Sequence, residues 1–282
     1  MKNYLDLLNS IYLHGEDRPG RNSWTRAKFA QTLSFDLRLG FPAVTTKKLY
    51  YKGVVAELLW FLRGSDNELE LMELTGRDRT IWSKNINAPG WKPHRAHEHD
   101  AGRIYGVQWR SWRSATRDGA MLTVDQVANL IDGLREDPYS RRHVVSAWNA
   151  GEIAGDQMCL PPCPVMFICY VDPHRGLSMH VYQRSGDMFL GVPFDIASYA
   201  TLLHILGHYT NLQPKYLTFS ITDAHIYRPH FDAVLTQLAR DPYPLPELQF
   251  SPGDRGIKAL QPEDFKLSGY KHHPAIQAEM IP

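Results

Sequence analysis

The chain of 282 residues has few cysteines, no long apolar run and no excess of charge of one sign. Its three cysteines are an odd number at irregular spacing, which argues against a disulfide framework and favours a reducing, cytoplasmic setting. No apolar run reaches the length of about 18 residues that a membrane-spanning helix needs. The N-terminal stretch lacks the apolar core of a signal peptide and is typical of a short amphipathic helix.

The charges are nearly balanced, with 31 lysines and arginines against 30 aspartates and glutamates. This balance gives no reason to expect a polymeric nucleic acid as partner, although a few local arginines could hold a small anion. The hydrophobic fraction of 43% is enough for a large core. The irregular stretch 83–103 is predicted to be a surface loop inside one domain that covers residues 1–282, because apolar periodic segments flank it.

The periodicity of apolar residues predicts a mixture of helices and strands. Helices are expected over 54–62, over 123–136 with Val124 on the apolar face, from Asp195 to about residue 211, and after Pro229. Strands are expected over 143–148 and 216–222, and 165–171 with 177–183 should form a hairpin. Because strands and helices do not alternate regularly, the pattern favours an α+β fold with one large sheet covered by helices.

Cys163 is the cysteine whose surroundings favour chemistry. It lies in CLPPCPV, directly before a predicted strand, where three prolines stiffen the backbone. A cysteine held rigidly at a strand edge is a candidate nucleophile if nearby cations favour its thiolate, and a small buried side chain is the structural alternative. Cys169 lies in the middle of the strand and is expected in the core.

Several arginines are candidate phosphate ligands, because guanidinium groups match phosphate oxygens in pairs. Arg141 and Arg142 stand at the entry to a predicted strand. Arg184 follows another predicted strand beside Ser185, and Arg18 lies in the turn-like stretch GEDRPGR. Solvated surface charge is the alternative for each arginine.

Other polar residues fit structural as well as functional roles. Asp195 stands where the N-cap of a predicted helix belongs. His225 and Tyr227 follow a predicted strand, and they could hydrogen-bond a sugar hydroxyl or be satisfied within the fold. The histidines of HRAHEHD fit no compact zinc motif, so a solvated loop is expected there rather than a metal site.

Taken together, these residues resemble the thymidylate synthase family, in order and over nearly the whole chain. The resemblance implies that family's layered α+β fold, with one large mixed sheet through which two subunits dimerise. The matching stretches are FPAVTTKK (41–48), ELLWFLRG (57–64), TIW (80–82), YGVQWR (105–110), SRRHVVSAWN (140–149), LPPC (160–163), YQRSGDMFLGVPFDIASYA (182–200), DAHIYRPH (223–230) and DPYPLPEL (241–248).

The resemblance implies roles at the pyrimidine base and the sugar. Cys163 matches the nucleophile that adds to C6 of the base. Glu57 matches the glutamate that organises water and proton transfer, and Tyr105 matches a tyrosine near C5. His225 and Tyr227 match the pair that holds the sugar 3′-hydroxyl.

The resemblance also implies how the phosphate and the folate are bound. Arg18, Arg184 and Ser185 match phosphate ligands of one subunit. Arg141 and Arg142 match ligands that the other subunit contributes, which implies a homodimer. The cosubstrate is then 5,10-methylenetetrahydrofolate, without a metal, and the residues that match its binding site are Trp82, Asp187 and Gly191.

Four features depart from the usual family pattern. Asp195 stands where uracil-specific members have asparagine, and a carboxyl group suits the amino edge of cytosine better than O4 of uracil. Pro164 replaces the histidine that usually follows the nucleophile, and SIT (220–222) replaces a glycine-containing stretch, to which no effect is assigned. Pro282 ends the chain where family members close over the folate.

The aspartate makes a deoxycytidylate (dCMP) 5-hydroxymethyltransferase the expected activity. A thymidylate synthase or a dCMP methylase, which would leave a methyl group, is the nearest alternative. A CMP hydroxymethylase acting on the ribonucleotide is another. A non-catalytic protein that binds nucleotide or RNA is the alternative outside enzymes.

Overall fold

The computed structural model describes residues 1–20 and 22–281. Strands make up the centre of the molecule and two small side sheets. In chain order they are β1 (Glu16–Pro19), β2 (Trp24–Asp36), β3 (Trp112–Ala115), β4 (Met121–Val124), β5 (Val144–Ser146), β6 (Pro164–Val171), β7 (Gly176–Asp187), β8 (Gln213–Tyr227), β9 (Glu247–Phe250) and β10 (Phe265–Ser268).

The helices surround these strands, and short 3₁₀ turns connect some of them. In chain order they are α1 (Lys2–His14), α2 (Tyr51–Arg63), α3 (Glu68–Thr75), α4 (Ser83–Ile86), α5 (Tyr105–Arg110), α6 (Gln126–Glu136), α7 (Ala150–Ala154), α8 (Gly191–Thr210) and α9 (Phe231–Leu238). Across residues 1–20 and 22–281, no helix combines the length and the apolar content that crossing a bilayer requires.

The central sheet has six strands in the order β1-β2-β8-β7-β6-β5. Strands β7 and β8 run parallel, and the other neighbours are antiparallel. The predicted large mixed sheet of an α+β fold is therefore confirmed. The predicted hairpin is also confirmed, as the antiparallel pair β6 and β7.

Burial alternates along the central strands, as expected for a sheet with one covered face. In β7, Leu177, Met179 and Val181 are buried, whereas the side chains between them are partly exposed. The apolar helix α8 packs against β7 and β8. The helices thus cover one face of the sheet, and the opposite face keeps exposed side chains such as Tyr170.

A close helix contact positions the predicted site residues of α2 and α5. A side chain at Gly106 would meet the Cα atom of Phe61 at 2.5 Å, so only glycine lets α5 approach α2 this closely. The neighbouring Tyr105 consequently stacks on Phe61, with 5.0 Å between ring centroids. This packing brings Tyr105 toward the helix that carries Glu57.

Several predicted element boundaries were wrong. Val124 ends strand β4, and α6 begins at Gln126 because the Asp125 side chain caps it by accepting from Ala128 N at 3.0 Å. Residues 83–103 are mostly turns, but they include the short helix α4 and the buried Trp91. Because Trp91 is buried, the prediction of a surface loop is wrong for part of the stretch.

Asp195 is not an N-cap, because α8 begins one turn earlier, at Gly191. Pro193 lies in the first turn, where proline needs no hydrogen-bond donor and its fixed φ suits a helix. Asp187 stabilises this start, since its Oδ1 accepts from the backbone N–H groups of Phe189 and Leu190 at 2.9 and 3.1 Å. The carboxyl group of Asp195 is therefore available for another role.

Four predicted site residues lie inside strands rather than beside them. Arg18 belongs to β1, where it pairs with Thr25, and not to a turn. Arg184 continues β7, and His225 and Tyr227 lie in β8. The long strands β7 and β8 extend past the predicted ends because their parallel pairing continues to Asp187 and His225.

Candidate active site

The backbone of Cys163 is held on both sides. Its N–H donates to the hydroxyl of Tyr105 at 2.7 Å, and its carbonyl accepts from the N–H of Arg184 at 2.9 Å. Cys163 is partly exposed, directly before β6. Burial raises the pKa of Tyr105 well above its usual value, and the nearby Cys163 raises it further, so the hydroxyl keeps its proton. Hydrogen bonds on both sides thus hold the backbone that carries the sulfur.

A guanidinium group lies beside the sulfur. Nε and Nη2 of Arg184 donate to the carbonyls of Pro162 and Pro161 at 2.8 and 2.9 Å. Nη2 lies 3.9 Å from Sγ of Cys163, and the group also stacks on the ring of Trp148. The two prolines lack N–H donors, but their carbonyls anchor the cation. A fixed positive charge at this distance favours the thiolate.

An open cleft of about 660 Å³ contains Cys163 and most of the predicted nucleotide-binding residues. Of those, Arg18, Arg184, Ser185, His225 and Tyr227 all line it. The cleft is also lined by Pro19, Gly20, Thr25, Trp148, Leu160, Pro161, Asp223 and Ile281.

Charges and polar groups at the cleft are partly balanced by one carboxylate. Arg18 forms an ion pair with Asp223. Burial alone would raise the pKa of Asp223, but a hydrogen bond with His225 and the charges of Arg18 and Arg184 bring it below its usual value. Nε2 of His225 is buried and has no partner among the described residues. The hydroxyl group of a bound ligand could form a hydrogen bond with this nitrogen.

Glu57 faces a second, smaller cavity of about 290 Å³. Its Oε1 accepts from Nε1 of Trp82 at 2.6 Å, and Trp82 in turn packs edge-on against Tyr105. The cavity is mostly apolar but has cationic groups at its side. Its lining residues are Tyr50, Gly53, Glu57, Leu71, Thr75, Arg77, Arg79, Thr80, Ile81, Phe194 and Met280.

Two buried carboxyl groups are shifted toward neutrality: Glu57 lines the smaller cavity, whereas Asp195 is not among the residues that line either cavity. Burial raises the pKa of Glu57 to about 7, against the hydrogen bond from Trp82, and Asp195 adds to the rise. Burial likewise raises the pKa of Asp195 to about 7, against a hydrogen bond from Gln183 and with a small contribution from Asp187. Both groups can therefore hold or release a proton near neutral pH.

The residues predicted to bind folate do not line either cavity directly. Trp82 is buried beside Glu57, and Asp187 caps the start of α8. A side chain at Gly191 would meet only Cβ of Asp187, at 3.6 Å, so the fold itself does not require glycine there. Their predicted contact with folate stays a prediction.

Arg141 and Arg142 lie outside the cleft of their own chain. Both are exposed, and within the described residues neither side chain has a hydrogen bond or an ion pair. The chain therefore brings together the phosphate ligands predicted for one subunit. The two arginines that were predicted to act in the other subunit lie outside this cleft.

The C-terminal segment borders both cavities. Met280 lines the smaller cavity, and Ile281 lines the cleft. Nε2 of His230 contacts the carbonyl of Glu279 at 2.7 Å and anchors the segment. Pro282, which stands where family members close over the folate, lies outside the described residues.

One cluster of possible metal ligands includes a histidine of the stretch HRAHEHD. Ligand atoms of Asp66, His97 and Asp100 lie within 4.8 Å of one another. Both oxygens of Asp100, however, already accept backbone N–H groups, from Ala96 and Gly102, at 2.6 Å each. These contacts give the carboxylate a role in shaping the loop.

A family model described as thymidylate synthase matches residues 2–282. The chain belongs to the thymidylate synthase family. The thymidylate synthase family carries out folate-dependent one-carbon transfer to a pyrimidine nucleotide, uses methylenetetrahydrofolate and works as dimers.

Sequence reasoning missed Gln183 and the role of Asp223 in this thymidylate synthase family site. Gln183 precedes Arg184 in YQRSGD, so strand alternation alone would have placed it on the inner face of β7. Asp223 begins the matched stretch DAHIYRPH. Its ion pair with Arg18 joins residues far apart in the sequence, and no local pattern indicates it.

Replacing Arg184 should slow the reaction of Cys163 with an alkylating reagent. We expect Arg184→Met to lower the rate of carboxamidomethylation at about pH 7 by about tenfold, because the nearest fixed cation is lost. Peptide mass spectrometry with iodoacetamide identifies the modified cysteine. The matched control is Arg117→Met in the exposed β3–β4 turn. An unchanged rate in the Arg184 variant would show that the guanidinium does not influence the thiol.

The two raised carboxyl pKa values should make the protein less stable as pH rises. Each acid is more easily protonated when folded, at about 7, than when unfolded, at about 4. Their stabilising contribution is therefore complete below about pH 4 and is lost as pH rises through about 7. Asp195→Asn should reduce this loss, as measured by urea unfolding at about pH 5 and pH 8.

The control for this pH comparison is Asp254→Asn, which changes an exposed carboxylate. Its unfolding midpoint should follow the wild-type protein at both pH values. If Asp195→Asn showed the same pH dependence as wild type, the carboxyl group of Asp195 would have an ordinary pKa in the folded protein.

Proposed function

We propose that this chain transfers a one-carbon unit from 5,10-methylenetetrahydrofolate to C5 of dCMP and releases 5-hydroxymethyl-dCMP. Cys163 is the nucleophile that bonds to C6 of the base during the reaction. The observation that carries the base assignment is the carboxyl group of Asp195, buried enough to be half-protonated near neutral pH. An uncharged acid at this position can both donate and accept.

The donor and acceptor groups of cytosine fit a neutral carboxyl group. The amino group N4 donates, and the ring nitrogen N3 accepts. One oxygen of Asp195 accepts from N4, while the protonated oxygen donates to N3. When the Cys163 thiolate adds to C6, the electrons of the C5–C6 double bond move toward C4, and those of the C4–N3 double bond move onto N3. N3 then takes the proton of Asp195, and C5 becomes a nucleophilic enamine carbon.

The cleft supports a nucleotide bound by its far end. We propose that Arg18, Arg184 and Ser185 hold the phosphate, with Arg18 leaving Asp223 for it, and that His225 and Tyr227 hold the sugar hydroxyl. This grip would place C6 beside Sγ of Cys163, since positioning of this kind contributes strongly to catalysis. Nε2 of His225 is buried without a hydrogen-bond partner in the described part of the chain, and this supports the sugar contact.

We propose that the smaller cavity receives the ring system of the folate. Ile81, Phe194 and Met280 supply apolar surface for a flat ring, and Arg77 and Arg79 supply charge for carboxylates. When bound, the folate supplies the one-carbon unit. We propose Trp82, Asp187 and Gly191 as further contacts. Glu57 faces this cavity with a pKa of about 7 and is suited to orient water and move protons beside C5.

Water addition rather than hydride transfer then completes the reaction, giving a hydroxymethyl product. The support for this outcome is the aspartate at position 195, which resembles that of the hydroxymethylases, and a site where Glu57 can activate water. A methyl product from the same base is the second possibility within this chemistry.

The protein would act as a homodimer formed through the open face of the sheet. Arg141 and Arg142 would complete the partner subunit's phosphate site. Their exposure, and the absence of side-chain partners for them within the described part of the chain, support this arrangement. The exposed Tyr170 and Val144 on β6 and β5 add apolar surface for the contact. One catalytic domain per chain is proposed.

Product analysis tests the activity. The purified protein is incubated with methylenetetrahydrofolate and, separately, with dCMP, CMP and dUMP. We expect a product from dCMP heavier by one CH₂O unit, and no rise in absorbance from dihydrofolate. A methyl product with dihydrofolate would replace hydroxymethylation by methylation. Product from dUMP alone would refute the base assignment, and Cys163→Ala should bind nucleotide without turnover.

Asp195→Asn should move the base preference toward dUMP. An amide donates to O4 and accepts from N3–H of uracil, but it lacks the proton that N3 of cytosine needs. We expect the ratio of kcat/KM for dCMP to that for dUMP to fall by at least about tenfold. Asp254→Asn, which changes an exposed residue, is the matched control. An unchanged ratio would remove the role of the carboxyl group in base choice.

A further inference from the structure

Gln183 contacts the carboxyl group that is proposed to read the base. It lies on the inner face of β7 and is 2% exposed. Its Nε2 donates to Oδ2 of Asp195 at 2.8 Å and to the carbonyl of Ser185 at 3.0 Å. Both hydrogens of this amino group are thereby used, one for each acceptor.

The orientation of this amide follows from its neighbours. If the amide were turned over, its oxygen would face the carbonyl oxygen of Ser185, and two acceptors would meet in a buried place. The Ser185 carbonyl therefore keeps the amino group of Gln183 toward Asp195. Oε1 of Gln183 has no partner among the described residues, so its position is not fixed from the other side.

The titratable groups that interact electrostatically with Asp195 are themselves acids. Glu57 on α2, Tyr105 on α5, Tyr199 on α8, and Asp187 at the end of β7 all interact electrostatically with it. An ionised form of any of them opposes ionisation of Asp195. Of the influences on its pKa, burial and Asp187 raise it, and the hydrogen bond from Gln183 lowers it. Gln183 therefore stabilises the carboxylate at this position.

We propose that Gln183 is a positioning residue that prepares Asp195 to give its proton to N3 of a cytosine base. The inference rests on the proposed function. As sulfur bonds to C6 and the electron pair arrives on N3, the O–H bond of Asp195 breaks and an N3–H bond forms. The carboxylate left behind keeps its hydrogen bond from Gln183. Without that bond, Asp195 would hold its proton more tightly and protonate N3 less readily.

The arrangement also links two parts of the substrate site. Ser185 lines the cleft and is a proposed phosphate ligand, and its carbonyl holds Gln183 in place. The residues Gln183, Arg184 and Ser185 are consecutive in β7, so one strand segment orients the acid, the cation beside sulfur and the phosphate grip.

The test is a double-mutant cycle with Gln183→Met and Asp195→Asn, read by the pH dependence of dCMP binding and by kcat. Calorimetry without folate gives the dissociation constant between about pH 5 and pH 9. In Gln183→Met, the inflection caused by Asp195 should move up by about one pH unit, and kcat for dCMP should fall by about tenfold. In the Asp195→Asn background, Gln183→Met should cause no such shift.

A second variant keeps the proposal testable if methionine disturbs folding. Gln183→Glu preserves the volume but presents a carboxyl group in place of the donor. It should move the inflection at least as far upward as methionine does. An inflection that stays in place in both variants, or an equal shift in the Asp195→Asn background, would overturn the positioning role.

The outcome can be separated from failure of the proposed function. If dCMP is neither bound nor converted, the proposed function fails. The effect of Gln183 on Asp195 can still be read from the pH dependence of urea unfolding, which needs no substrate. Gln183→Met should then extend the pH range over which stability falls to higher pH, and an unchanged range would refute the inference.

Discussion

The site depends on keeping water away from a carboxyl group. Burial of Asp195 raises its pKa to about 7, and the titratable groups that interact with it electrostatically are also acids. A carboxylate in an open cleft would stay ionised and could only accept hydrogen bonds. Burial beneath the covering helices and the sheet is therefore what lets this carboxyl group carry a proton near neutral pH. Burial acts in the same way on Glu57, so the pKa values of both carboxyl groups are raised to about 7.

Much of the fold follows from local pattern, and the exceptions have physical causes. The segments that became α2 and α8 were recognisable as apolar runs, because these helices are buried on most sides. The hairpin β6–β7 was recognisable because buried and less buried side chains alternate along its strands. The predicted start of α8 at Asp195 was wrong by one turn, because the helix already begins at Gly191 and tolerates Pro193 in its first turn. The N-cap assigned to Asp195 failed for that reason.

The candidate site was only partly predictable. Cys163, Arg184 and Ser185 lie in matched motifs, and the structure brings them into one cleft. The bond between Gln183 and Asp195 could not be predicted, because it depends on how the inner face of β7 meets the second turn of α8. The ion pair of Arg18 and Asp223 likewise requires the pairing of β2 between β1 and β8. Such contacts are set by the register of strands and not by neighbouring letters in the sequence.

Met280 and Ile281 are consecutive residues, and each borders a different cavity. A single peptide bond joins them, so the backbone at this point runs between the two cavities. The two cavities therefore share one short stretch of the chain as part of their walls. Any coupling between ligands in the two cavities would be equally large in both directions, as thermodynamic reciprocity requires. A ligand in either cavity would thus meet the same segment, which His230 holds through the carbonyl of Glu279.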